Sequence, residues 1–115
     1  MNYLAFDMGA SSGRALLGAI DDHRLNLIEL HRFANGPVAL PSGLHWNVLG
    51  LWDEVLQGLS KAAAFAPVSM GLDTWGVDFG LLDSQDALIG NPYHYRDART
   101  AGMMDAAFQR VPRAQ

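Results

Sequence analysis

The sequence contains no cysteine, which excludes a disulfide framework, an iron–sulfur cluster and a thiolate zinc site together. Charge is scarce: Asp, Glu, Lys and Arg make up 17% of the 115 residues, and eight bases against twelve acids leave a formal charge of −4. No basic run interrupts it, so the footprint that nucleic acid or an anionic membrane needs is missing, and any bound phosphate has to be held locally. Long apolar runs are absent as well. The longest, such as Tyr3 to Phe6 and Ala62 to Pro67, fall far short of the ~20 residues of a membrane span. The N-terminus has no basic stretch, and Asp7 interrupts its only apolar one, so a secretory signal does not fit and a cytoplasmic location is expected. His23, His31, His45 and His94 show neither H-x-x-x-H nor H-x-H spacing, and they read as surface or hydrogen-bonded residues rather than metal ligands.

What is present is apolar material. Half the residues are hydrophobic, enough for a core, and the length allows one domain or part of one. No repeat or linker divides the chain. Tyr3 to Phe6, Arg14 to Ile20 and Leu25 to Phe33 read as three strands joined by turns at Gly9–Gly13 and Asp21–His23, an antiparallel meander. From Asn47 the period changes. Trp52, Val55, Leu56, Leu59 and Ala63 form a helical stripe, with Asn47 as N-cap and Pro67 as the stop. Val68 to Leu72 then reads as a strand that a right-handed crossover returns parallel to the meander. Val77 to Leu82 and Asn91 to Tyr95 look like a further hairpin, and Arg99 to Arg110 like a helix cut short by Pro112. The order predicts an α/β fold with a mixed sheet.

Three clusters carry candidate chemistry. Asp7-Met8-Gly9-Ala10-Ser11-Ser12-Gly13-Arg14 sets a carboxylate at a strand end before a turn of glycines and hydroxyls. Backbone N–H groups and hydroxyls in such a turn accommodate an anion, and an aspartate beside it suits Mg²⁺ held against phosphate oxygens. The plainer alternative is a hairpin in which Asp7 accepts turn hydrogen bonds. Neither a Walker A loop nor G-x-G-x-x-G is present, but Gly9 to Gly13 matches G-x-S-x-G, which would make Ser11 a hydrolase nucleophile if a helix followed it directly. The second cluster, Gly71 to Phe79, again puts an aspartate, Asp73, at a strand end, followed by Trp75, Gly76 and Asp78. Carboxylates accept from sugar hydroxyls, an aromatic face packs on C–H groups and glycine allows close approach; a core tryptophan at a corner is the competing reading. The third is Tyr95-Arg96-Asp97-Ala98-Arg99-Thr100, where Asp97 is a helix cap and the arginines are solvated or paired unless they serve a ligand.

Taken together, and with His31-Arg32-Phe33-Ala34-Asn35-Gly36, these segments resemble the N-terminal part of the FGGY carbohydrate kinases, Asp73-Thr74-Trp75-Gly76-Val77-Asp78-Phe79 being the most diagnostic. The resemblance implies the actin-like, ribonuclease-H-like ATPase fold, with residues 1–115 forming the N-terminal part of the first lobe and the second lobe absent. It implies ATP and Mg²⁺ as cofactors, with Gly9, Ala10, Ser11, Ser12, Gly13 and Arg14 at the ATP phosphates and Asp7 at the metal. Gly76 is then expected at the sugar, with Asp73, Trp75, Asp78, Tyr95 and Arg96 as its neighbours. The implied reaction is phosphorylation of a ketose, nearest in pattern to the members acting on L-rhamnulose. Fuculose or xylulose as substrate, or a half-lobe that binds sugar without phosphorylating it, are the alternatives. The family's general base and adenine pocket match nothing here, so the chain alone is expected to be inactive and to expose a sheet edge through which copies could pair.

Overall fold

The computed structural model describes residues 1–111 and 113. Strands β1 (Asn2–Met8), β2 (Ser12–Asp21) and β3 (Arg24–Ala34) form the expected antiparallel meander. A short hairpin follows, β4 (Pro37–Leu40) with β5 (Gly43–Trp46), and then helix α1 (Val48–Ala62). The chain returns as β6 (Ser69–Thr74), parallel to β1, giving the sheet order β3-β2-β1-β6. This is the mixed sheet and crossover read from the sequence.

Alternation fixes which face of the sheet is the core. Leu4, Phe6 and Met8 point under α1 together with Gly13, Ala15 and Leu17 of β2, while Tyr3, Ala5 and Asp7 lie on the other face. The Asn47 side chain accepts the Gly50 N–H at 3.0 Å, the predicted cap. A 3-10 turn, Ala63–Phe65, leads out of the helix before Pro67. His31 ties β3 to the helix: Lys61 Nζ donates to its Nδ1 at 2.7 Å, and its Nε2 donates to Glu54 at 2.5 Å.

The helix is rotated relative to the predicted stripe. Leu51, Val55, Gly58, Leu59 and Ala62 face the sheet, whereas Trp52 and Leu56 are exposed. The cause is Gly58. A Cβ there would lie 2.6 Å from Phe6 Cε1, so the bare backbone of α1 sits against the Phe6 ring and turns Trp52 outward.

Two other expectations need correction. Val77–Leu82 and Asn91–Tyr95 do not form a hairpin; among the described residues only a bridge between Leu82 and Leu88 closes the loop, and Tyr93 bridges to His45 of β5 instead. The predicted helix 99–110 is interrupted: a 3-10 turn at Ala98–Thr100 gives way to Gly102 at φ +75°, and α2 spans only Met103–Phe108. Pro112, expected to end it, lies outside the described residues. Strand β6 is exposed along its whole length and forms the sheet edge; Met70 and Leu72 are in register with Leu4 and Phe6, on the same face as α1, but the helix does not reach far enough to cover them. The radius of gyration is 18.6 Å, against about 13 Å for a closed domain of this length. The chain therefore does not close a core around β6.

Candidate functional site

The site lies at the carboxyl ends of the parallel strands β1 and β6. Their register pairs Asp7 with Asp73 and Met8 with Thr74, so the turn after β1 and the corner after β6 are neighbours at one end of the sheet. Ligands in open α/β sheets bind in such a crevice.

The turn is held by Asn35, whose Nδ2 donates to Gly9 O at 2.8 Å and whose N–H donates to Ser11 O at 3.0 Å. Gly9 N–H donates to Ser12 O at 3.0 Å, and a Cβ at Gly9 would meet that oxygen at 2.8 Å, so the tight return requires glycine. Among the described residues, no hydrogen bond uses the amide hydrogens of Ala10 or Ser11. Ser11 and Ser12 are exposed. Gly13 has a different reason to be glycine: it faces the core from β2, and a Cβ would overlap the Phe33 ring. Ser11 is followed at once by β2, an extended strand, so the strand-to-helix elbow that a serine nucleophile requires is not formed.

Arg14 faces Asp7 across β1 and β2, with Nε at 2.9 Å and Nη2 at 2.7 Å from the same carboxylate oxygen, Oδ2. Register continues this row across the open face, from Asp73 through Asp7 and Arg14 to Arg32. Two like carboxylates side by side are unfavourable unless a cation offsets them, and Arg14 does so for Asp7. Oδ1 of Asp7 is outside that pair, and the side chain is 44% exposed. One accessible carboxylate fits Mg²⁺, which is commonly held by one or two carboxylates plus substrate phosphates. Among the described residues no three His, Asp or Glu side chains gather into a metal cage.

Beyond β6 the corner is aromatic. Trp75 packs on Trp46 of β5, ring centroids 4.1 Å apart, and Trp46 packs in turn on His94 at 4.0 Å. Asp78 Oδ2 accepts both indole N–H groups, from Trp46 at 2.7 Å and from Trp75 at 3.0 Å. Gly76 has open space around the position a Cβ would take, so the chain's own packing does not require a glycine there. Tyr95 stacks on His94 at 4.5 Å, and the Arg96 guanidinium lies 5.1 Å from the Tyr95 ring centroid.

This third segment is fastened to β5. Trp46 N–H donates to Pro92 O and His94 N–H to Leu44 O, both at 2.9 Å. Asp97 accepts Leu44 N–H at 2.7 Å and Arg99 N–H at 2.9 Å. Those N–H groups, Leu44's first, hold the Asp97 carboxyl below the usual carboxylate range. His94 is 1% exposed; its Nδ1 accepts Arg96 N–H at 3.0 Å, which leaves the proton on Nε2, and that Nε2 has no partner among the described residues. Burial lowers its pKa, and the nearby Asp78 charge opposes the shift only in part.

The structure therefore brings Asp7, Gly9 to Ser12, Arg14 and Asp73 to one end of the sheet, and Trp75, Asp78, Tyr95 and Arg96 to the aromatic corner beside it. Trp46 is not among the residues singled out from the sequence, and His94, read there as a surface or hydrogen-bonded residue, is hydrogen-bonded but buried. The signal for Trp46 was the Pro41-Ser42-Gly43 turn between the short apolar runs Val38–Leu40 and Leu44–Trp46, which marks a hairpin.

No family model matches the sequence. Among curated relatives, the rhamnulokinase of Oceanobacillus iheyensis is 41% identical over 110 residues, which is 94% of this chain and 23% of that protein. The rhamnulokinase of Halalkalibacterium halodurans is 44% identical over 112 residues, 95% of this chain and 24% of its own length. Among solved structures, a carbohydrate kinase from Novosphingobium aromaticivorans superposes with a TM-score of 0.73 at 20% identity, over 95% of this chain and 23% of that one. A xylulose kinase from Rhodospirillum rubrum gives 0.72 at 15% identity, over 97% and 24%. At those identities the structures establish the shared fold, the actin-like ATPase fold of the sugar kinases. The chain spans about a quarter of the length of the relatives it matches. Over nearly its whole length it is homologous to rhamnulokinases and carries the fold of the FGGY carbohydrate kinases.

Proposed function

We propose that residues 1–115 are the N-terminal part of the first lobe of an ATP-dependent ketose kinase, acting in the cytoplasm on L-rhamnulose. The observation that carries this reading is the Asp7–Asp73 register, which sets the Gly9–Ser12 turn beside the Trp75–Gly76 corner. A phosphoryl donor and a sugar acceptor have to meet at such a junction.

In this reading the free amides of Ala10 and Ser11 and the hydroxyls of Ser11 and Ser12 hold phosphate oxygens, while Arg14 orients Asp7. Asp7 would hold Mg²⁺, which offsets charge on the transferring phosphoryl group when bound. Gly76 leaves room for the sugar, and Trp75, with Tyr95 and Arg96 close by, forms the adjoining wall. The sugar hydroxyl oxygen attacks the γ-phosphorus, the bond to ADP breaks, and the hydroxyl proton passes to a general base. No residue of this chain is assigned that base, so the chain alone binds without turnover.

Calorimetric titration of the chain with L-rhamnulose, D-xylulose and glycerol, combined with a coupled ADP-release assay, tests this. Selective heat with L-rhamnulose and no ADP release is expected. Absence of ketose binding, or equal binding of all three, refutes the reading.

A further inference from the structure

Among the described residues Asp78 is the carboxylate in the aromatic corner, and a sugar site would ordinarily use a carboxylate to accept hydroxyl hydrogens. The geometry points to a different role. We infer that Asp78 is a positioning residue whose Oδ2 is committed to the two tryptophans, so that the ligand edge it serves is chiefly the apolar surface of the rings it holds.

Both indole N–H groups converge on the same oxygen, Oδ2, from Trp46 at 2.7 Å and from Trp75 at 3.0 Å. The rings they belong to are 4.1 Å apart and tilted by 31°. Trp46 is 2% exposed and immobilised behind by His94. Trp75 is only half-buried, and among the described residues nothing else accepts its indole N–H. Asp78 thus transfers the fixed position of Trp46 to Trp75. An indole has two torsions, and a charge-assisted hydrogen bond with a stacking partner locks both.

Trp75 faces a cleft of about 200 Å³ at the end of β6, lined also by Trp46, Phe79 and Pro92, with Thr74 and Asp78 as its polar atoms. It is smaller than the ~300 Å³ at the low end of drug-sized sites, so it takes one edge of a monosaccharide. Oδ2 of Asp78 already accepts twice, which leaves its Oδ1 and Thr74 as side-chain acceptors, and the rest of the lining, Trp46, Val48, Leu51, Trp75, Phe79 and Pro92, favours C–H and methyl groups over hydroxyls. A 6-deoxy ketose therefore fits this cleft better than the same ketose carrying a 6-hydroxyl, because the latter would bury a hydroxyl against rings. This inference rests on the sugar reading above for its ligand, but not for the clamp itself.

The two parts are separable by experiment. In a Trp52→Phe background only Trp46 and Trp75 remain, and the close pair should give an exciton couplet in circular dichroism. Asp78→Leu should abolish the couplet; Asp78→Asn, whose carbonyl oxygen still accepts, should retain it. A couplet that survives Asp78→Leu overturns the clamp. Titration of the chain with L-rhamnulose and with L-fructose, its 6-hydroxylated counterpart, should favour the deoxy sugar. Asp78→Leu should weaken L-rhamnulose about tenfold and move the ratio toward one, while Asp78→Asn stays near wild type. If Asp78→Asn loses binding as fully as Asp78→Leu with its couplet intact, the carboxylate itself binds sugar and the inference fails. Trp46→Phe covers the case in which Asp78→Leu does not fold: unchanged deoxy-sugar preference in that variant overturns the proposal. Lack of any ketose binding by wild type refutes the proposed substrate instead, and the couplet still decides the clamp.

Discussion

Gly58 decides how α1 lies on the sheet, and replacing it with alanine tests that reasoning. The added Cβ would stand 2.6 and 2.9 Å from Phe6 ring carbons and 3.0 Å from Ala15 Cβ. Ordinary contact begins near 3.4 Å, so the shortest approach is deficient by 0.8 Å (3.4 − 2.6). Neither neighbour can yield easily: Phe6 is 1% exposed under the helix, and Ala15 is 0% exposed in β2. Two effects compete. Alanine favours the helix over glycine by ~1 kcal/mol, and overpacking a closed core costs about 1–3 kcal/mol. With both neighbours immobile the cost falls in the upper half of that range, so Gly58→Ala should destabilise by a net ~1–2 kcal/mol. Urea unfolding followed by circular dichroism should show a lower midpoint at unchanged slope. Phe6→Leu in the same chain should recover part of the loss, a coupling that a double-mutant cycle measures. A Gly58→Ala chain as stable as wild type or more so refutes the packing account, since only the helix preference would then be operating.

The hold of Asp97 on Leu44 and Arg99 predicts an acid-sensitive corner. Its folded pKa lies below the unfolded value, so its contribution is present above the ordinary carboxylate pKa and disappears as pH falls through the folded one. Asp97→Asn should flatten the acid limb of the stability profile below about pH 4; an unchanged limb in acid titrations followed by near-ultraviolet dichroism contradicts the assignment. The open β6 edge predicts pairing between copies of the isolated chain, because Met70 and Leu72 are 55% and 54% exposed beside unpaired strand groups. Light scattering should detect a concentration-dependent dimer that Leu72→Lys returns to monomer, and a clean monomer at high concentration rules it out.

What the sequence made legible followed from periodicity and local chemistry. The meander, the Asn47 cap and the parallel return of β6 each depend on residues close in sequence or on a handedness rule, and each is in the structure. The errors share a cause. The helical stripe counted Trp52 and Leu56 as core because both are apolar, but a glycine on the adjoining face permits closer approach than any side chain, and the sheet docked there. The segment 91–95 has strand character, yet its hydrogen bonds go to β5 rather than to Val77–Leu82. Partner choice at that range is set by Asp97 reaching Leu44 across 53 positions, which no local pattern encodes.

The candidate site follows the same division. Asp7, Asp73 and the glycine turn were legible because strand ends and turns announce themselves. Asp78 was legible as a residue but not in its role, since a carboxylate near tryptophans can face either a ligand or the indoles. The choice between those roles depended on Trp46, which lies 32 residues away on a strand whose partner segment comes from still farther along the chain. A sequence pattern can therefore nominate a binding residue, while its chemistry is decided by which donors the fold delivers to it.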